Sequence, residues 1–173
     1  MAVLPIRKYG DPVLRKRATD VDPSEINDEL QRLIDDMVET MYAEPGVGLA
    51  ANQVGVAKRL AVIDLTVGEE PENVHVLINP ELVDESGECL EEEGCLSIPD
   101  FVELVSRPER VTVRYLDRNG EPREMSGEGL MARAICHEID HLNGVMFVDY
   151  LRGLKKDRIL RKISKLVRDG SWM

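Results

Sequence analysis

The sequence predicts an α+β fold: mixed or antiparallel β-sheets around a central helix, with a further helix towards each end. Three observations predict it. Apolar residues recur at 3–4-residue spacing in three separate stretches, near 26–41, 127–142 and 154–168. Strand-like runs lie together between the first two of these, instead of alternating with helices. The length, 173 residues at 43% hydrophobic and 32% charged, suits one domain, expected to span 1–173, with a real core. Aromatics are only 4%, so aliphatic side chains must fill that core.

The N-terminal helix has the clearest start. Asp22-Pro23-Ser24-Glu25 reads as an N-cap, a proline at the first helical position and a glutamate at the third. Ile26, Leu30, Leu33, Ile34, Met37, Val38 and Met41 then form one apolar stripe, ending before Pro45-Gly46. GVGLAANQ (46–53) follows as a small-residue segment. RLAVIDL (59–65) and VHVLINPELV (74–83) read as strands. GECLEEEGCLSIPD (87–100) is acidic first and apolar around Cys95. FVELV (101–105) and RVTVRYL (110–116) alternate as strands do. Asn119-Gly120 is a strong hairpin signal, and EPREM (121–125) returns as the partner, with Pro122 marking an edge. The central helix runs from about Gly127, with Ser126 as N-cap, to Leu142, and stops at Asn143-Gly144. The C-terminal helix carries Ile159, Leu160, Ile163, Leu166 and Val167 on one side and basic residues elsewhere.

The net charge of −11 argues against a nucleic-acid-binding protein overall, and no DNA is expected as a partner. The charge is uneven. Eight basic residues and one acid between 152 and 168 give that stretch +7, leaving −18 on the rest. Three cysteines, Cys89, Cys95 and Cys136, do not suggest a disulfide framework. No apolar run suits a signal peptide or a membrane span, so a reducing cytoplasm is the expected location.

The chemistry is concentrated in HEIDH (137–141), an HExxH pattern. Helix positions i and i+4 share a face, so His137 and His141 project side by side and can bind one metal ion. Glu138 is offset by ~100° and can serve a reacting water without ligating the metal. A polar solvated face is the bland alternative. Leu130, Ala134, His137 and His141 argue against it, because they continue one stripe where an amphipathic helix should be apolar. A catalytic metal usually has three protein ligands and an open position. His75 sits inside a strand and is expected to be an ordinary strand side chain. Carboxylates are too numerous to rank. Cys95, after Gly94 in EGCLS, stands out, although a buried structural cysteine is an equal alternative.

GVGLAANQ (46–53), EGCLS (93–97) and HEIDH (137–141), in that order and spacing, resemble the three signature motifs of the bacterial peptide deformylases. The resemblance extends over nearly the whole chain, including INPEL (78–82), the Asn-Gly hairpin and the C-terminal helix. It implies a metal held by Cys95, His137 and His141, with ferrous iron the usual ion in cells and zinc, nickel or cobalt able to replace it. It implies Glu138 as the catalytic acid/base, and the Gln53 amide and the Leu96 N–H as donors to the substrate carbonyl oxygen. The implied reaction is removal of the formyl group from N-formylmethionine on new polypeptides. Backbone groups of Val47, Gly48 and Gly94 would hold the peptide as an added strand, with Gly46 and Gly48 leaving room for it. Leu130 and Ala134 are expected at the wall of the methionine pocket. Arg133 is expected with its stem there and its guanidinium at the rim, or else in a salt bridge. Asp140 is expected to orient a ligand, and Cys136 to be buried packing. The basic C-terminal helix is expected to contact the ribosome. Two rivals remain at this level: a zincin-type endopeptidase, whose third ligand lies downstream of the helix, and a structural metal site in a binding module, which would need four protein ligands.

Overall fold

A computed structural model describes residues 2–170; Met1 and residues 171–173, the ends of the expected 1–173 domain, lie outside the described residues. The N-terminal helix, α1 (Asp28–Ala43), begins later than its capping signal suggests. Asp22 and Glu25 do form a capping box, the Asp22 carboxylate accepting from the Ser24 N–H and Glu25 from the Asp22 N–H, both at 2.9 Å. That box closes only a short 3-10 turn, Pro23–Glu25. Asn27 then lies in extended backbone, and its side chain accepts from the Leu30 N–H at 3.0 Å. Two caps in succession thus divide the segment, and the second starts the helix. Asp28 and Glu29 in its first turn suit the helix dipole. The helix ends before Pro45, as expected.

Five strands form one antiparallel sheet in the order β1-β2-β3-β6-β7: β1 (Gly48–Ala50), β2 (Leu60–Ile63), β3 (His75–Ser86), β6 (Arg110–Leu116) and β7 (Pro122–Glu128). A separate hairpin pairs β4 (Cys89–Cys95) with β5 (Ile98–Arg107). All four residues of β2 are buried. Leu60 and Val62 pack with Ile34, Met37 and Met41 of α1, while Ile63 packs with Ile135 and Ile139 of the central helix, α2 (Leu130–Leu142). Covered on both faces, β2 reads as a continuous apolar run. Each fully buried aliphatic side chain stabilises the fold by roughly 1.5–3 kcal/mol. The third helix, α3 (Gly153–Arg168), buries Ile159 and Ile163 against Leu14, Ile98, Val105 and Phe147; Val167, expected on that side, is exposed.

The start of α2 is a second correction. Ser126 and Gly127 belong to β7, where they pair with Thr112 and Val111 of β6, and the two hydroxyls of Ser126 and Thr112 lie 2.8 Å apart. Ladder pairing outweighs the capping preference of Ser126. Gly129, at φ +61°, makes the turn into the helix instead. The β6–β7 connection is also longer than a two-residue Asn-Gly turn: only Gly120 takes positive φ, and Asp117 accepts from the N–H groups of Asn119 and Glu121. Pro122 does sit on an edge strand. In INPEL, the Asn79 side chain accepts from the Val21 N–H at 2.8 Å and donates to the Val21 carbonyl at 2.9 Å, tying the N-terminal segment to β3.

Candidate active site

Helix α2 carries the site because its middle is sealed and its ends are tied down. Its C-terminal carbonyls have dedicated donors. The Asn52 amide donates to the His141 carbonyl, and Arg59 and the Ala18 N–H donate to that of Leu142 at 3.0 and 2.8 Å. These contacts fix the last turn and with it His141. The stripe expected from Leu130 to His141 holds from Ala134 onward: Ala134, His137 and His141 are buried, whereas Leu130 is 54% exposed. The imidazole centroids of His137 and His141 are 4.7 Å apart and their Nε2 atoms 3.0 Å apart.

Cys95 arrives from the tip of the β4–β5 hairpin, where the register shifts between Gly94 and Cys95. Its Sγ lies 3.2 Å from His141 Nε2, and the ligand atoms of Cys95, His137 and His141 all fall within 4.8 Å of one another. Two imidazole nitrogens and a thiol thus converge on one point. One thiolate and two neutral imidazoles are the donor set of a borderline-soft divalent ion. Two buried polar atoms beside them, Glu138 Oε1 and His141 Nδ1, have no protein partner among the described residues. Unpaired buried carboxylate oxygen is costly unless it is there for a ligand or water. The residues therefore fit a metal ion with a reacting water.

Glu138 is 3% exposed, and burial pushes its carboxyl up to about 7. Space for it is made by Gly48, where a Cβ would lie 2.5 Å from Glu138 Oε2. A Cβ on Gly46 would lie 2.9 Å from Leu96 Cδ1. These glycines make room for the chain's own Leu96 and Glu138.

His137 is oriented from behind. Its Nδ1 lies 2.6 Å from Glu93 Oε2. Glu93 also accepts from Arg107 through Nε at 3.0 Å and Nη2 at 2.7 Å, and from Arg133 Nη1 at 3.0 Å. Burial opposes the charged form of Glu93, but His137 and Arg107 outweigh it and hold the carboxyl well below its usual range. Arg107 continues to Asp140, which also accepts from the Tyr150 hydroxyl at 2.6 Å. Asp140 therefore acts on the histidine through Arg107 and Glu93, not directly. The result is a carboxylate-backed histidine, the arrangement that fixes ligand tautomer and ring angle.

On the other side of Cys95, Gln53 is almost wholly buried. Its Oε1 accepts from the Ala50 N–H at 2.9 Å, and its Nε2 donates to Ser97 Oγ at 3.1 Å and reaches Cys95 Sγ at 3.6 Å. A cleft of about 200 Å³ opens in front of the cluster. Val47, Gly48, Gly94, Leu96, Leu130, Arg133, Ala134, His137 and Glu138 line it with Cys95; Gln53 and His141 are not part of its lining. For Arg133 the salt-bridge alternative holds. Its guanidinium is not at the rim; the residue is 6% exposed and donates to Glu93, to the Val105 carbonyl at 2.9 Å and to the Cys89 carbonyl at 2.8 Å. Cys136 is buried, and burial raises its thiol to about 11. His75 lies in β3, away from the cluster.

Sequence reading missed Glu93, Arg107, Ser97, Asn52 and Tyr150. A signal for Glu93 existed. Strand side chains alternate, so a Cys95 that points inward places Glu93 inward beside it. For Arg107 the same alternation from Val105 places a cation where an apolar residue belongs.

A sequence model described as polypeptide deformylase matches residues 3–157. A peptide deformylase of Acidobacterium capsulatum is 52% identical over 99% of this chain and 100% of its own, and one of Alkalilimnicola ehrlichii is 54% identical over 98% and 94%. Among solved structures, the peptide deformylase of Legionella pneumophila superposes with a TM-score of 0.91 at 46% identity over 99% of both chains. That of Synechococcus elongatus in complex with actinonin gives 0.87 at 45% identity, covering 93% of this chain and 88% of its own.

Proposed function

The chain belongs to the polypeptide deformylase family, metal-dependent enzymes that remove the formyl group from N-formylmethionine peptides and release formate, and we propose how its own residues carry out that reaction. The observation that carries the reading is the convergence of Cys95, His137 and His141 beside the unpaired Glu138 Oε1. We assign the three as ligands of one divalent ion, ferrous iron in the cell, with zinc, nickel or cobalt able to take its place. When bound, the ion supplies Lewis acidity, polarising the formyl carbonyl and drawing the pKa of water down toward ~7.

The remaining work falls to the protein. Glu138 takes a proton from the attacking water and returns it to the leaving amine. A carboxyl held near neutrality is suited to both acts. The Gln53 Nε2–H and the Leu96 N–H donate to the oxygen that becomes negative as water adds to the formyl carbon. One such donor is worth about 2.7–4 kcal/mol in comparable sites. The substrate backbone lies between β1 and β4. Both are edge strands, and Val47 just before β1, Gly48 in β1 and Gly94 in β4 border the cleft, which supports strand addition on either side. The methionine side chain enters against Leu130, Ala134 and the stem of Arg133.

We further propose a cytoplasmic enzyme that meets nascent chains at the ribosome through α3, with DNA and membranes not among its partners. Lys155 is paired with Glu103 at 2.6 Å and Lys156 faces Asp149, but Arg161, Lys162 and Lys165 form no ion pair among the described residues. No described helix is long and apolar enough to cross a membrane.

The test is formate release from formyl-Met-Ala-Ser by anaerobically prepared protein, alongside an unformylated peptide of similar length. Formate without internal cleavage is expected. Cleavage of an internal peptide bond with no formate would return the site to the endopeptidase reading.

A further inference from the structure

Arg133 is an unusual wall for a pocket that takes a thioether. It lines the cleft beside Leu130 and Ala134, yet it is a cation and nearly sealed from solvent. Its Nη1 is spent on Glu93 and the Val105 carbonyl, and one Nη2 hydrogen on the Cys89 carbonyl. A guanidinium has five N–H donors. The Nε–H and the second Nη2 hydrogen have no acceptor among the described residues, so donors remain on a residue that borders the cleft. They are also rigidly placed, because Arg133 is tied at once to α2, β4 and β5. Glu93 does not compete for them from its side: its two oxygens already accept from Arg107, Arg133 and His137.

We propose that this cleft takes a second substrate class, peptides beginning with N-formylmethionine sulfoxide, and that Arg133 is the residue that admits them. The inference rests on the deformylase reading given above. The sulfoxide turns an apolar side chain into a polar, chiral one ending in a strong acceptor oxygen. In a pocket without a donor, that oxygen would be stripped of water with nothing in return. Here it meets a fixed N–H. The acceptor must be neutral. Arg107 and Arg133 are balanced by Glu93 and Asp140, so an added side-chain carboxylate would go uncompensated beside Glu92 and Glu93, which also line the cleft. The reaction itself does not change. Water adds to the formyl carbon, the C–N bond breaks, and the amine leaves with the proton. Formate and a free methionine-sulfoxide N-terminus result. The sulfur keeps its oxidation state, so no oxidant or reductant takes part.

The test uses the metal-loaded full chain and four peptides: formyl-Met-Ala-Ser, formyl-norleucine-Ala-Ser, and the two epimers of formyl-Met-sulfoxide-Ala-Ser. In the wild type, kcat/KM for the better epimer should fall within about thirtyfold of that for norleucine, which has the same length and no acceptor. Arg133→Met should lower that sulfoxide-to-norleucine ratio by about thirtyfold, whatever it does to the two rates in common. A wild-type ratio below that limit for both epimers, or a ratio that Arg133→Met leaves in place, overturns the proposal. Should Arg133→Met not fold, the wild-type ratio decides alone. Turnover of formyl-Met-Ala-Ser with the sulfoxide rejected defeats only this proposal; no formate from any peptide defeats the deformylase reading beneath it.

Discussion

Replacing Glu93 by glutamine keeps the side chain's shape and removes one charge from the support behind His137. The carboxylate accepts four hydrogen bonds, two from Arg107, one from Arg133 and one from His137 Nδ1. A glutamine can accept with one end only, and its NH₂ turns donors toward donors. Removing one partner of a buried ion pair costs about 3–5 kcal/mol, because the surviving charge stays buried. At 93% burial Glu93 needs little discount for solvent. For a chain of this size that corresponds to a fall in Tm of roughly 6–20 °C. Metal affinity should drop about 10–100-fold, since the histidine loses its oriented acceptor. Urea unfolding of the metal-free protein reads the first quantity and a competitive chelator titration the second. The pH dependence gives an independent check. Glu93 is held well below its ordinary 4.5 in the folded state, so its stabilisation is complete above that value and declines as pH falls below it. The gap between wild type and Glu93→Gln should therefore be constant near neutrality and narrow in acid. Equal stability and equal chelator resistance at pH 7 would show that Glu93 neither holds Arg107 and Arg133 nor orients His137.

Further outcomes follow from the same geometry. Glu138→Gln should keep fold and metal content while formate release falls to background; an active variant would remove Glu138 from the mechanism. In the metal-free protein, Glu138→Gln should gain stability over wild type by up to ~3 kcal/mol at pH 8 and almost nothing at pH 4. The buried carboxyl must ionise above about 7 in the folded state but above 4.5 when unfolded. Gly48→Ala should cost on the order of 10²-fold in kcat with little change in Tm, because its methyl group displaces the Glu138 carboxylate. An iron-loaded sample should lose activity in air faster than a nickel-loaded one, because the Cys95 thiolate is exposed to the chemistry of a redox-active ion; equal half-lives would count against this. Lys156, Arg161 and Lys165 changed together to glutamate should abolish ribosome co-sedimentation while formyl-peptide turnover persists, and intact co-sedimentation would exclude α3 as the contact.

How far the sequence could be read depended on whether the governing force was local. HEIDH fixed two ligand positions because helical pitch alone sets their spacing, and apolar periods of 3.6 and 2 located the three α-helices and the strands β2, β3, β5 and β6, whereas β1 and β4, short or largely acidic, carried no such pattern. Boundaries were lost where two local preferences competed. Asp22 and Asn27 both cap, and Ser126 both caps and pairs. The support of the site was mostly hidden. Glu93 looked like one more acid in an exposed acidic run, and Arg107 meets it, and links it to Asp140, only because the β4–β5 hairpin folds over α2. Arg133 was half legible: its place on the cleft followed from helical spacing, but its buried guanidinium depended on carbonyls contributed by the two strands of that hairpin.

If Cys95 completes a three-ligand metal centre with His137 and His141, and this centre hydrolyses a formyl amide, metal and activity must be lost together with its thiol. Metal content and formate release should be measured on the same anaerobic samples of wild type and Cys95→Ala, both checked for fold by circular dichroism. About one divalent ion per wild-type chain is expected, with activity proportional to it, and loss of both in a folded Cys95→Ala. A Cys95→Ala protein that still binds its metal and releases formate would contradict that assignment.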